Sequence, residues 1–388
     1  MRRTAPTRTA RAPLNPTPAD SVVILLVVGP GPGALLVPEI AHELVSAGHN
    51  VEVVLEPRTK LFVGPAAFAT VAPVVEAPSA SPGALVFAPA TAGTLARLAR
   101  GMGGAASLFE VSVGIPIVVA PELDEGTASH PAVRQNVALL EADGVRVVGG
   151  TGETGSPVEV AGAVLNAMGG PLSGLRILIT AGGTREPIDR VRVVSNRSSG
   201  KMGRAIAREA WRRGAKVTVV AANVEGVEPG VGWVPVETYR ELEEATMRLA
   251  GEADALVMAA AVSDFTPAEV HEGKIRRGGR RELDLRLVAT GDILRAVREG
   301  NPGLFMVGFA ATHGDPVPDA REKLARKGVD LVVGNDVSLA GTGFGSDDNE
   351  VYIVGREGED FVPRASKREV AGRILDTLAA TIGEERVG

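Results

Sequence analysis

The sequence predicts an α/β protein made of two doubly wound parallel-sheet domains. Three observations lead there. Short runs of Val, Ile and Leu recur along the chain and are continuous rather than alternating, which marks strands buried on both faces. Segments of helical spacing separate these runs, as crossover-connected parallel strands require. The alternation halts at Gly169-Gly170-Pro171-Leu172-Ser173-Gly174 and then begins again. With 388 residues in total, either half is long enough to bury a core.

Residues 1–20 carry four Arg and no acid before Asp20, and read as a disordered tail. The apolar run that follows, 22–28, is only seven residues long and ends in Gly-Pro-Gly-Pro-Gly. It therefore reads as a first strand rather than the core of a secretory signal. A helix over 34–47 comes next, then strands at 51–55 and 84–88 and a helix at 91–100. Strand 115–120, helix 132–142, strand 145–148 and helix 158–168 complete a first domain, 21–168. Residues 169–174 are the linker and 175–388 the second domain. In it, strands are expected at 176–180, 217–221, 255–259, 304–309 and 331–333. Helices are expected at 203–213, 239–250, 292–298, 318–327 and 367–381, with a polar, basic excursion over 263–281.

Composition excludes several classes of chemistry. The chain has no cysteine, so disulfides, thiolate metal sites and thiol nucleophiles are ruled out. A net charge of −6 and only 3% aromatic residues argue against nucleic acid or an anionic membrane as partner. No run approaches the ~20 apolar residues of a membrane span. The protein is expected to be cytoplasmic and to act on small molecules.

Ligands of doubly wound sheets bind beyond the carboxyl ends of the strands. The loop after 176–180 reads Ala181-Gly182-Gly183-Thr184, and two glycines there let backbone amides approach a phosphate. A tight turn explains the pair equally well. The helix at 203–213 is preceded by Ser195-Asn196-Arg197-Ser198-Ser199-Gly200-Lys201, an anion site in principle or ordinary helix capping. Neither a Walker loop nor a Gly-x-Gly-x-x-Gly dinucleotide fingerprint is present. Lys274 lies in the basic excursion, and Lys323 and Lys327 lie four apart on one helix face. Such cations clustered after strand ends in an acidic protein point to a polyphosphate. Asp264 either accepts from a ribose hydroxyl or caps its loop.

At these residues the second half resembles the phosphopantothenate–cysteine ligase family of coenzyme A biosynthesis, usually the C-terminal part of a bifunctional protein. The strings are 179–187 (ITAGGTREP), 191–203 (VRVVSNRSSGKMG), 259–265 (AAAVSDF), 273–277 (GKIRR) and 307–311 (VGFAA). They continue with 320–327 (AREKLARK), 334–337 (GNDV), 343–349 (GFGSDDN) and 366–369 (SKRE), in the family's order. The resemblance implies a Rossmann-like ligase domain and a reaction in two steps. A carboxylate attacks the α-phosphate of CTP to form an acyl-cytidylate, and the amine of cysteine then displaces CMP. It implies roles as well. Lys274, Lys323 and Lys327 would hold the triphosphate, and Asp264, Ala261 and Phe309 the nucleotide, together with Gly182, Gly183, Asp292 and Ile293. Asn196 would bind and convert the acyl-cytidylate, and Arg192 would serve the second step. Mg²⁺ would bridge phosphate oxygens with few protein ligands. The ligase domain would form a dimer within a homo-oligomer, the basic loop of one subunit closing the site of the other.

Two departures stand out. Ala289-Thr290-Gly291-Asp292-Ile293 replaces the family's Lys-Asn-Pro-Asp-Ile, and Thr312 follows Phe309-Ala310-Ala311 where the family has Glu. These leave open a divergent acyl-cytidylate ligase acting on another carboxylate and amine.

The first half is similar to the flavin-dependent phosphopantothenoylcysteine decarboxylase family, of flavodoxin-like fold, at Ala88-Pro89-Ala90-Thr91-Ala92-Gly93-Thr94. The family's catalytic His, its Pro-Ala-Met-Asn loop and its flap Cys are missing. Pro121-Glu122-Leu123-Asp124 stands in the loop, and His42, His49 and His130 lie elsewhere. The turn Gly29-Pro30-Gly31-Pro32-Gly33 has lost amides to proline. The expectation is an inactive domain that binds FMN weakly or not at all and acts as an oligomerising scaffold, although a still bifunctional enzyme is the alternative. A nicotinamide-dependent reductase and a non-catalytic assembly subunit are the remaining classes. The missing fingerprint opposes the first, and the joint presence of Asn196, Arg192, Lys274 and Lys323 the second.

Overall fold

The computed structural model describes residues 22–102, 114–150, 155–226, 228–278, 281–339, 341, 343 and 345–387. The expected tail at 1–20 lies outside them. The chain divides into two compact units, Met1–Ala161 and Gly162–Gly388.

Among the described residues, the first unit holds β1 (Val23–Val28), α1 (Val37–Ser46), β2 (Asn50–Leu55), β3 (Ala84–Ala90) and α2 (Ala92–Ala99). These are followed by β4 (Ile117–Pro121), α3 (Glu125–Ser129), α4 (Pro131–Ala142) and β5 (Arg146–Val147). A helix α5 (Pro157–Met168) runs across the division. The five strands form one parallel sheet of order β2-β1-β3-β4-β5. β3 is buried along its whole length, which is why its sequence does not alternate. Leu25, Phe87, Leu95, Val119 and Leu140 pack into one core cluster. Helix α1 starts three residues later than expected, because a 3-10 turn at Pro32–Leu36 precedes it. Thr91 caps α2, its hydroxyl accepting from the Thr94 amide at 3.2 Å.

The second unit opens with β6 (Arg176–Gly182), β7 (Arg185–Pro187), β8 (Val193–Ser195), α6 (Lys201–Arg212), β9 (Lys216–Ala222) and β10 (Gly232–Val236). Then come α7 (Tyr239–Ala250), β11 (Ala255–Met258), β12 (Phe265–Pro267), β13 (Leu287–Ala289), α8 (Ile293–Gly300) and β14 (Phe305–Thr312). The unit ends with α9 (Val317–Lys327), β15 (Leu331–Asp336), β16 (Asp348–Gly355), β17 (Glu359–Ser366) and α10 (Lys367–Val387). Its main sheet has the order β10-β9-β6-β11-β14-β15-β16-β17. Pairing is parallel from β10 to β15 and antiparallel at β15–β16 and β16–β17. The antiparallel edge and β10 depart from the expected elements. β16 is buried in near alternation, so its apolar residues do not form the long runs that flagged the central strands. β7–β8 and β12–β13 are antiparallel pairs of three-residue strands, too short for any periodicity to show.

From β6 the chain first adds β9 on one side and later returns to add β11 on the other. The loops after β6 and β11 therefore diverge at a topological switch point, where such sheets open a crevice. Gly203 lets α6 lie close over β6, since a Cβ there would come within 3.0 Å of the Ala181 Cα. α7 is fixed by a full capping box of Thr238 and Glu241.

Candidate active site

A cavity of about 670 Å³ opens at this switch point, walled by the ends of β11 and β14, the segments before α6 and α8, and helix α9. It gathers Asn196, Ala261, Asp264, Asp292, Ile293, Phe309, Lys323 and Lys327, residues spread over 132 positions of sequence from 196 to 327.

Its cationic wall comes from α9. Lys327 and Lys323 stand one turn apart, so both ammonium groups reach the same side. Lys327 bonds the carboxylate of Asp292, and Lys323 donates to the carbonyl of Phe309. Burial pushes the Lys323 pKa below its ordinary value, and the charges of Lys327 and Arg326 push in the same direction against Asp292 and Asp264. A buried ammonium with a second beside it gains most from an incoming anion. Asp292 has a second task as the N-cap of α8, accepting from the Arg295 amide at 3.2 Å.

The opposite wall is knitted from two loops. Asn196 Nδ2 donates to the Val262 carbonyl at 2.9 Å. The Ser263 amide donates to the buried Thr184 hydroxyl at 3.0 Å, and the Thr290 hydroxyl donates to the Ser263 carbonyl at 2.8 Å. Asn196 and Asp264 are thereby held on a backbone with little freedom. Asp264 is exposed in the cavity.

Two further lysines line the cavity: Lys201, expected only as part of the Ser195–Lys201 stretch before the helix, and Lys367, which was not among the expected residues. Lys201, at the start of α6, bonds Asp347 Oδ1 at 2.7 Å and the Gly345 carbonyl at 3.0 Å. Lys367, at the start of α10, is 8% exposed and donates to the carbonyls of Gly343 and Ser346. Both sit inside strings that carried the resemblance. Their meeting over the 343–347 loop could not be seen in them.

Four expected residues lie outside the cavity lining. Gly182 and Gly183 serve close packing instead: the Gly183 amide is used on the Ala222 carbonyl at 3.0 Å, and the Gly182 carbonyl accepts from Ala261 at 2.8 Å. Gly182 has φ +89°, and a Cβ there would come 1.9 Å from the Ala222 oxygen. The pair thus forms a close backbone contact between the end of β6 and its neighbours β9 and the 259–261 segment. Arg192 and Lys274 lie together in another place. The buried carboxylate of Asp189 accepts from the amides of Val191 and Arg192, both at 2.8 Å, and of Ile275 at 3.0 Å, and pairs with the Arg192 guanidinium. Burial alone would raise its pKa, but the three amides and Arg192 outweigh that and hold it at about 2. The basic segment carrying Lys274 is so latched to the turn before β8. Among the described residues no group of three His, Cys, Asp or Glu side chains could hold a metal ion.

In the first unit, His130 caps α4 and His42 sits 3.5 Å from Ser46 on α1. In the turn after β1, Pro30 and Pro32 offer no N–H. The Gly33 amide already donates to both oxygens of Glu122, at 2.9 and 3.1 Å. No helix of the described residues is long and apolar enough to cross a membrane.

The domain family described as DNA/pantothenate metabolism flavoprotein C-terminal domain matches residues 172–382, and the Flavoprotein family matches 15–170. The chain is 34% identical to the coenzyme A biosynthesis bifunctional protein CoaBC of Vibrio cholerae, over 92% of this chain and 97% of that one. To the CoaBC proteins of Bacillus subtilis and Mycobacterium tuberculosis it is 32% and 36% identical, with 92% of this chain and 96% of each relative covered. The crystal structure of the C-terminal domain of a CoaBC protein matches with a TM-score of 0.48 at 34% identity, covering 55% of this chain and 98% of that one.

Proposed function

The chain belongs to the CoaBC family of bifunctional coenzyme A biosynthesis proteins, and from that premise we propose that its second unit is a CTP-dependent ligase joining 4′-phosphopantothenate to cysteine. In the first step a carboxylate oxygen attacks the α-phosphorus of CTP, and the bond to pyrophosphate breaks. In the second the amine of cysteine attacks the acyl carbon, CMP leaves, and the nitrogen loses a proton to give the amide.

The observation that carries this reading is the cavity in which Lys323 and Lys327 face Asn196 and Asp264. The lysines neutralise charge building on the leaving pyrophosphate. Asp264 accepts from a ribose hydroxyl, Phe309, Ala261 and Ile293 bound the nucleotide, and Asn196 holds the acyl-cytidylate. Arg192 and Lys274, latched together by Asp189, act on the site of a second copy. Exposed Val191, Val193, Phe265, Leu287 and Val288 on and beside β8, β12 and β13 support a homodimer through this region. The division at 169–174, a cytoplasmic location and a first unit without decarboxylase activity complete the reading.

The test is pyrophosphate release from CTP and 4′-phosphopantothenate, followed by CMP release on adding cysteine. A chain that releases no pyrophosphate with any carboxylate is not this enzyme. Release with a different carboxylate alone would favour the divergent ligase, a reading supported by Thr290 and Gly291 lining the cavity where the family pattern has Asn and Pro. Light scattering that gives a monomer would refute the dimer.

A further inference from the structure

We infer that the carboxylate of Glu122 is a built-in substitute for a ligand phosphate, and that it keeps FMN out of the first unit. This deepens the reading of that unit as inactive and rests on it.

The sheet order β2-β1-β3-β4-β5 places the ligand crevice between β1 and β3, where the connections leave in opposite directions. In such a crevice backbone amides hold the anion. The turn after β1 has three glycines, yet Pro30 and Pro32 contribute no N–H. The amide of Gly33 is buried and bonds both Glu122 oxygens at 2.9 and 3.1 Å. A Cβ on Gly31 would come 2.2 Å from Glu122 Oε2, so the same carboxylate also lies against the backbone of Gly31. Glu122 is itself fixed, its amide donating to the Ala90 carbonyl at the end of β3 at 3.0 Å.

The glycines therefore permit a close approach, and what approaches is a side chain of the same protein. A second carboxylate stands nearby: Glu56 Oε2 is 3.7 Å from the Cβ position of Gly29, with Arg97 as its ion-pair partner at 3.4 Å. A phosphate monoester with a charge of about −1.5 to −2 would have to expel Glu122 and then face Glu56. Charge and space oppose it together.

The experiment uses the full chain with two probes, FMN and inorganic phosphate. The wild type is expected to purify without flavin and to leave the fluorescence of added FMN unquenched. Glu122→Ala strands the Gly33 amide, so its thermal midpoint should fall by roughly 5 °C. Phosphate, but not chloride at equal ionic strength, should restore part of that fall and leave the wild type unmoved. Glu122→Gln keeps the shape and one acceptor, and shows the same pattern at smaller size if the alanine variant does not accumulate. Stoichiometric flavin in the wild type would overturn the inference, as would variants that melt with the wild type and ignore phosphate. Pyrophosphate release in the same preparations reports the ligase separately. Its absence alongside a normal phosphate response would count against the ligase reading alone.

Discussion

Asp292 does two separable things, and two substitutions take them apart. It caps α8, and it pairs with Lys327. Asn caps a helix about as well as Asp, so Asp292→Asn removes only the charge pairing, whereas Asp292→Ala removes both. The cap contributes about 1 kcal/mol. The pair is partly screened, with side-chain exposures of 35% for Asp292 and 15% for Lys327, which limits it to about 0.5–1 kcal/mol. Asp292→Asn should then lower the melting temperature by about 2–3 °C and Asp292→Ala by about 4–7 °C.

The pH dependence carries a sign. Burial would raise the Asp292 pKa, but the bonds from Lys327 and the Arg295 amide, with the charges of Lys327 and Arg326, hold it below the usual value. A depressed carboxylate stabilises the fold fully above its unfolded pKa of about 3.9 and loses that contribution as pH falls through the folded value. The gap between wild type and Asp292→Asn should be flat from about pH 8 to 5 and close below about pH 4. Thermal unfolding followed by circular dichroism across that range is the assay. An Asn variant that melts as low as the Ala variant at neutral pH, or a gap that widens on acidification, would refute the two-role account.

Three further outcomes are expected. Asn196→Asp should still release pyrophosphate while amide formation stalls, seen as acyl-cytidylate accumulating by mass spectrometry; normal amide yield would remove Asn196 from the second step. Lys323→Met takes away a buried cation facing the cavity and should lower kcat/KM for CTP by about 10- to 100-fold, against no change if the triphosphate lies elsewhere. Asp189→Asn should speed hydrogen exchange at the Ile275 amide and open the 271–277 segment to trypsin at Lys274. In the wild type, with the carboxyl held at about 2, that protection should persist at every pH above about 3, and an unprotected segment at neutral pH would show that no latch exists.

Much of this was legible in the residues. Continuous apolar runs announced the buried parallel strands, and the 3.6-residue spacing announced helices such as α7 and α9. Lys323 and Lys327 could be placed on one face from their spacing alone. The absence of cysteine and the Asp at the end of Pro121-Glu122-Leu123-Asp124 could likewise be read directly from the chain. The three-residue strands β7, β8, β12 and β13 left no such trace, because pairing across a turn rather than a local period makes them strands.

What the sequence determined by itself is whatever depends on near neighbours: the alternation of strand and helix, the helix caps, the absent thiol and the ordered motifs of a ligase. The tertiary structure alone decided which charges meet. Lys201 and Asp347 are 146 positions apart, and Glu122 and Gly33 are 89 apart. Their contacts are set by strand order and crossover direction, which no local pattern encodes. For that reason the glycine turn after β1, whose sequence shows only amides lost to proline, takes in a carboxylate from 89 positions away in the folded chain.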